Sequence, residues 1–219
     1  MRVGVFIPVV QECFVRPLMT YIERNTVRPD KIIILNNSSK SNIVIPARRG
    51  TLEIVKPPEP LTVNASWNYG IQKLAGEVDL IAVLNDDLII EDMFFEKLLY
   101  AAKKNTKAGV FCPNTAHDQN RVRNPFRTTT CSPMTRREGW AWTIRSEVAK
   151  LIDPIPEQLV TWCGDDWYWR HCHKLNRPWM KMMNNHIFHF IGQSHLMLNP
   201  NRDTKSEIKE AREILDTLI

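Results

Sequence analysis

The sequence is short of several things, and each shortage narrows the reading. No apolar run approaches the roughly 18 residues needed to span a bilayer, which argues against a membrane-embedded synthase. No leader is evident either, because Met1-Arg2 runs straight into a strand-like segment, so no secretory signal is expected. There is no Cys-x-x-Cys pair. The five cysteines, Cys13, Cys112, Cys131, Cys163 and Cys172, are odd in number and scattered, which predicts reduced thiols in a cytoplasm rather than a disulfide framework or a zinc ribbon. Internal repeats and low-complexity tracts are also missing. Finally, the stretch from Gln119 to Arg137 contains no acidic residue, yet holds Arg121, Arg123, Arg127, Arg136 and Arg137.

What remains is ordinary globular material. At 219 residues, with 43% hydrophobic and 24% charged positions, the chain can bury one full core, and a single domain is expected. The formal net charge of +5 and a pI near 9.0 permit a polyanionic partner without requiring one. Arginine is the better phosphate fork, so the acid-free stretch reads either as a phosphate-binding surface or as a solvated loop.

Strand-like and helix-like segments alternate through the first half. Val3 to Val10, Ile32 to Leu35 and Leu80 to Leu84 are apolar runs suited to strands buried on both faces. Ile43 to Ile45 and Leu52 to Val55 read as shorter strands. Helices are predicted over Pro17 to Asn25, Asn64 to Leu74 (with Asn64 as N-cap) and Glu91 to Lys104. Such alternation predicts a mainly parallel sheet flanked by helices. The second half is less regular. Strands are expected at Ala108 to Cys112, Trp140 to Ile144, Trp179 to Met183 and Ile187 to Phe190. Helices are expected at Glu147 to Ile152, Asp165 to Leu175 and Thr204 to Leu218, the last opened by a Thr204/Glu207 capping box. The Arg-rich stretch has no clear periodicity.

The chemistry centres on Leu80 to Ile90, LIAVLNDDLII. Carboxylates at the end of a buried parallel strand sit at the edge where open α/β sheets bind ligands. Asn85-Asp86-Asp87 is hard-cation chemistry, suited to Mg²⁺ or Mn²⁺ holding a diphosphate. The competing reading is an acidic helix cap, since Glu91 and Asp92 follow. Two other strands also end in polar or turn-forming residues, at Pro8-Val9 and at Asn36-Asn37-Ser38. Converging on one sheet edge, the three ends would form a nucleotide cleft.

Taken together, IPVV, DKIIILNNSS and NASWNYGIQKLAGEVDLIAVLNDDLII resemble the nucleotide-binding half of the family-2 glycosyltransferases, which have the GT-A fold. The resemblance continues through Gly139-Trp140-Ala141-Trp142, Gly164-Asp165-Asp166-Trp167-Tyr168-Trp169-Arg170 and His189-Phe190-Ile191-Gly192-Gln193-Ser194, in family order. It implies an α/β GT-A domain. Residues 1–112 would bind the nucleotide-sugar, and residues 113–219 would supply the acceptor site and the base. Pro8, Val9, Asn36, Asn37, Ser38, Asn64, Asn68, Asn85 and Asp86 would line the donor site. Asp87 and His189 would hold Mn²⁺ or Mg²⁺, with His186 and His195 as rival ligands. Asp166, with Asp165 as the alternative, would be the catalytic base. Four positions depart from the family pattern: Asn36 and Asn85 stand where Asp is usual, Asp165 stands for Glu, and Tyr168 or Trp167 stands in place of the family's second acid. Asparagine both donates and accepts, so a UDP-sugar is still expected.

The implied reaction is an inverting transfer from a nucleoside diphosphate to an acceptor hydroxyl. Trp140 and Trp142, read as sharing one strand face, with Arg121, Arg123 and Arg127, make the expected acceptor surface. Its charge and aromatics suit duplex DNA. A hydroxymethylated pyrimidine is the leading acceptor, as in viral DNA-modifying glycosyltransferases, with action in the host cytoplasm if the chain is viral. A surface glycan or lipid-linked sugar is the main rival, and an inactive nucleotide- or DNA-binding protein of the same fold is a third reading. Oligomeric state is not legible.

Overall fold

The computed structural model describes residues 1–38, 43, 45, 51–116, 126–135, 139–190 and 203–219. Their centre is one mixed sheet of nine strands among the described residues. Strands β1 (Val3–Val9), β2 (Lys31–Asn36), β3 (Thr51–Val55) and β4 (Leu80–Leu84) form a parallel block in the order β3-β2-β1-β4. The crossovers include α1 (Glu12–Arg24) between β1 and β2 and α2 (Val63–Leu74) between β3 and β4. Beyond β4, strand β8 (Ala141–Arg145) enters antiparallel. Next come β6 (Val110–Thr115), β9 (Trp179–His189) and β5 (Leu88–Ile90), while β7 (Cys131–Pro133) also pairs with β9. β6 and β9 run with the parallel block; β5, β7 and β8 run against it.

The apolar runs are explained by burial on both faces. Along β1, Val3, Val5, Ile7 and Val9 pack into one core with Val15, Leu18 and Ile22 of α1 and with Phe94, Phe95 and Leu98 of α3 (Phe94–Lys104). Phe6 points the other way. It joins Trp67, Ile71 and Leu74 of α2, and this second core also takes Val148 of α4 (Ser146–Ala149), Tyr168 and Cys172 of α5 (Gly164–Lys174) and Ala211 and Leu215 of α6 (Thr204–Leu218). The contact of α2 with β1 is close enough to demand glycine at Gly70: a Cβ there would lie 2.1 Å from the Phe6 ring. No helix among the described residues is long and apolar enough to cross a membrane.

Several element limits differ from the sequence reading, for physical reasons. The first helix begins at Glu12, and Pro17 lies inside it, because Val15 extends the apolar face of Leu18 and Ile22 by a turn. Thr62, not Asn64, caps α2; its Oγ1 accepts from Ala65 N. Asp203, not Thr204, caps α6, and Glu207 instead accepts from Trp162 Nε1 at 2.9 Å. The two late strands are one strand, β9, with a register shift inside it. The Arg-rich stretch contains β7. Ile43 and Ile45 are buried, but the strand expected there includes Val44, outside the described residues.

Gly70→Ala should destabilise the protein by about 1–3 kcal/mol through overpacking against Phe6. Urea unfolding would show this as a lower midpoint with an unchanged slope.

Candidate active site

Strand direction decides which residues meet. Strands β1, β2 and β4 end at the same edge of the sheet, β9 ends there too, and antiparallel β8 begins there. Val9 lies in register with Asn36, and Asn37 N donates to Val9 O at 2.8 Å. Asn85 N donates to Trp140 O at 2.9 Å, and Phe190 N to Asp87 O at 3.1 Å. Backbone bonds thus lace the ends of β4, β8 and β9 together around Asn85-Asp86-Asp87.

The two carboxylates part company. Asp86 Oδ2 turns toward the end of β1 and accepts from Val10 N at 3.4 Å. Asp87 Oδ1 lies 3.1 Å from His189 Nε2, and their side chains are only 4% and 7% exposed. The Trp140 ring stacks on His189, with centroids 5.1 Å apart and planes 22° apart. The remaining ring nitrogens, His189 Nδ1 and Trp140 Nε1, are buried with no hydrogen-bond partner among the described residues.

The residues fit a small divalent cation. Two cis ligands of an octahedral ion with bonds of about 2.1 Å lie about 3.0 Å apart, close to the Asp87–His189 separation. One carboxylate and one imidazole suit Mn²⁺ or Mg²⁺. No group of three or more His, Cys, Asp or Glu able to hold a metal occurs among the described residues. Of the rival ligands, His195 lies outside the described residues. His186 is three residues back along β9, where burial, and secondarily Lys97, push its imidazole below the usual histidine range.

Helix α5 presents Asp165 and Asp166 in its first turn, after Cys163 in the left-handed region at φ 64°. They face different neighbours. Asp165 Oδ2 packs against Gly139, where a Cβ would lie 3.2 Å away. Asp165 therefore borders the Gly139-Trp140 segment that adjoins Asp87 and His189. Asp166 reaches the Cys163 thiol. Burial, then the charges of Asp166 and Asp165, push that thiol up to about 11.

Other expected site residues have structural roles. Trp142 is fully buried among Trp67, Tyr168 and Trp179, so it is core and not an acceptor platform. It does not share a face with Trp140. The strand starts at Ala141, and Trp140 packs against the opposite core. Asn37 spends its amide on both Leu61 backbone groups and on Ser66 Oγ. Asn64 donates to Leu159 O and Trp162 O, and Asn68 exchanges two bonds with Ile155. All three fasten connecting segments instead of pointing at a ligand, a role that polar helix positions in sequence do not reveal.

At the edge itself, Asn36 is buried, and its Oδ1 accepts from Ser38 N at 3.0 Å, closing a turn beside Pro8 and Val9. Arg127 is exposed, 3.8 Å from Glu96; Arg121 and Arg123 lie outside the described residues.

A mixed sheet with an acidic strand end, a histidine from a late strand beside it and a carboxylate-bearing helix against the adjoining Gly139 is the arrangement of the GT-A class of fold. The chain belongs to glycosyltransferase family 2, whose model matches residues 5–189. No curated protein matches the sequence. Among solved structures, GalNAc-T7 with UDP, GalNAc and Mn²⁺ matches with a TM-score of 0.69 at 10% identity, over 86% of this chain and 44% of that one. TarS residues 1–349 from S. aureus matches at 0.65 and 10% identity, over 98% and 71%. Glucosyl-3-phosphoglycerate synthase from Mycobacterium tuberculosis, with Mn²⁺, UDP-glucose and phosphoglyceric acid, matches at 0.63 and 13% identity, over 99% and 78%. The chain thus spans less than half the length of GalNAc-T7.

Two outcomes follow from these environments. Trp142→Ala should cost about 3–5 kcal/mol of folding stability, as a buried indole does, measured by denaturant unfolding. In the native protein at pH 8, iodoacetamide should label exposed Cys13 first. Cys163 and Cys172, both pushed up to about 11 chiefly by burial, should stay unlabelled in peptide mass spectra.

Proposed function

We propose that the protein is a metal-dependent inverting glycosyltransferase that moves a sugar from a UDP-sugar to an acceptor hydroxyl. The observation that carries this reading is the 3.1 Å approach of His189 to Asp87 at the carboxyl edge of the sheet. The UDP and Mn²⁺ named for two neighbouring structures support the choice of donor and metal. On this reading residues 1–112 bind the donor and residues 113–219 supply the base and the acceptor site.

Asp87 and His189 would hold Mn²⁺ or Mg²⁺, and the bound cation would supply positive charge against the leaving diphosphate. Asn36 and Ser38, beside Pro8 and Val9, seat the nucleobase; Asn36 can both donate and accept. Asp86, near Val10, orients the donor between nucleobase and diphosphate. Trp140 covers one face of His189 and keeps water from it. Asp165 is the base: its carboxylate borders the Gly139-Trp140 wall, whereas Asp166 is turned toward Cys163. The acceptor oxygen bonds to the anomeric carbon as the bond to diphosphate breaks on the opposite side. The hydroxyl proton passes to Asp165, and the anomeric centre inverts.

For the acceptor, the net charge of +5 and the exposed Phe126 and Arg127 support a polyanion with a stackable base, and a hydroxymethylated pyrimidine in DNA is our reading. The free thiols fit a cytoplasmic setting.

Asp87→Ala should abolish turnover, and chelation should do the same to the wild type. Asp165→Asn should lower kcat by about 10²- to 10⁴-fold with UDP affinity retained, while Asp166→Asn changes it far less. A larger loss in Asp166→Asn would move the base to that residue. A thermal-shift screen of nucleotide-sugars with Mn²⁺ identifies the donor; no turnover with any donor, and no effect of Asp87→Ala, would favour the inactive binding protein. Binding to duplex DNA should weaken steeply with salt, with a slope flattened by replacing Arg121 and Arg123; a flat wild-type slope rejects the DNA acceptor.

A further inference from the structure

Strand β9 reaches the site only after an irregularity. Against β6, Met182 pairs with Pro113, but the next residue of β6, Asn114, pairs with His186. Met183, Asn184 and Asn185 are left outside the ladder. An odd number of extra residues exchanges the two faces of a strand. Before the excursion, Met180 and Met182 face the core that contains α1 and α3; after it, Ile187 faces that core, and His189 stacks on Trp140, which packs against it. Without the three extra residues His186, not His189, would come to the position opposite Leu88.

The excursion is held from below by a buried ion pair. Lys97 and Glu91 have side chains 0% and 2% exposed and meet at 2.6 Å. Lys97 Nζ also donates to Asn184 O at 2.7 Å, and Glu91 Oε1 accepts from His186 N at 2.9 Å. Asn185 adds a bond from Nδ2 to Phe94 O at 3.0 Å. A buried pair is seldom kept for stability, since apolar replacements of similar volume do as well. Apolar replacements here would strand the Asn184 carbonyl and the His186 amide in the core. The pair thus matches one backbone group inside the excursion, Asn184 O, and one where the ladder resumes, His186 N.

We infer that Glu91 and Lys97 are positioning residues that lock the shifted register of β9 and so hold His189 against Asp87. The inference rests on the metal reading of Asp87 and His189.

The test uses full-length protein labelled with ¹⁵N-histidine. Mn²⁺ is added in the presence of UDP, and broadening of the His189 imidazole signal is followed alongside Mn²⁺ affinity. UDP affinity without metal is measured separately. In the wild type, Mn²⁺ should broaden His189 selectively; if it does not, the metal reading itself fails and this inference falls with it.

In the folded double variant Lys97→Met/Glu91→Gln, the broadening should be lost. Mn²⁺ should bind about 10- to 100-fold more weakly, as when an outer-shell partner is removed, while metal-free UDP binding is unchanged. Asn185→Ala, which removes a different clamp of the same excursion, should change Mn²⁺ binding in the same direction and carries the test should the double variant not fold. Wild-type broadening and Mn²⁺ affinity in either folded variant, or an equal loss of metal-free UDP binding, would overturn the inference.

Discussion

The site depends on one long-range contact, that of His189 with Asp87. Asp87 lies in the turn between β4 and β5 and His189 ends β9, segments about a hundred residues apart with no local reason to meet. β9 brings its last residue to the start of β5, where Leu88 pairs with His189 and Phe190 N bonds to Asp87 O. That pairing exists only because the sheet is mixed. Antiparallel β8 begins at the edge where the parallel strands end, and it delivers Gly139 and Trp140 to the place where β4 delivers its carboxylates. A uniformly parallel sheet would put the start of β8 at the far edge.

Beneath this edge, buried polar side chains serve the backbone. Asn25 donates to Tyr21 O and Glu91 O and accepts from Phe95 N, tying α1 to the start of α3. Asn64 and Asn68 do the same for the segment leading to α5. Irregular chain at the rim of a cleft carries amides and carbonyls that no ladder satisfies, and burial makes each one costly if unpaired. The helices supply the missing partners, so the rim is fixed by the body of the fold.

Adjacent carboxylates on a helix illustrate how finely such fixing discriminates. At 3.6 residues per turn, Asp165 and Asp166 point about 100° apart. One borders the cleft wall at Gly139 and the other turns to Cys163. In sequence they are equivalent, and only the orientation of α5 against β8 separates them. The strand pair Asp86 and Asp87 divides in the same way, toward Val10 and His189 respectively.

By itself, the sequence determined the parallel block and its edge: apolar runs ending in Pro8-Val9, Asn36 to Ser38 and Asn85 to Asp87 are local patterns, and local patterns follow from burial on both faces of a strand. The order of those motifs also carried the family. The buried charge of Lys97, between Phe94 and Leu98 on the apolar face of α3, emerged only from the structure. Tertiary structure alone decided that Trp142 is core, that Asn37, Asn64 and Asn68 are fasteners, that Asp165 borders the cleft and that β9 changes faces between Met182 and His186. Each of these depends on strand direction, register parity or helix rotation relative to a distant partner. Periodicity along one segment states which side is apolar; it holds no information about what that side will meet.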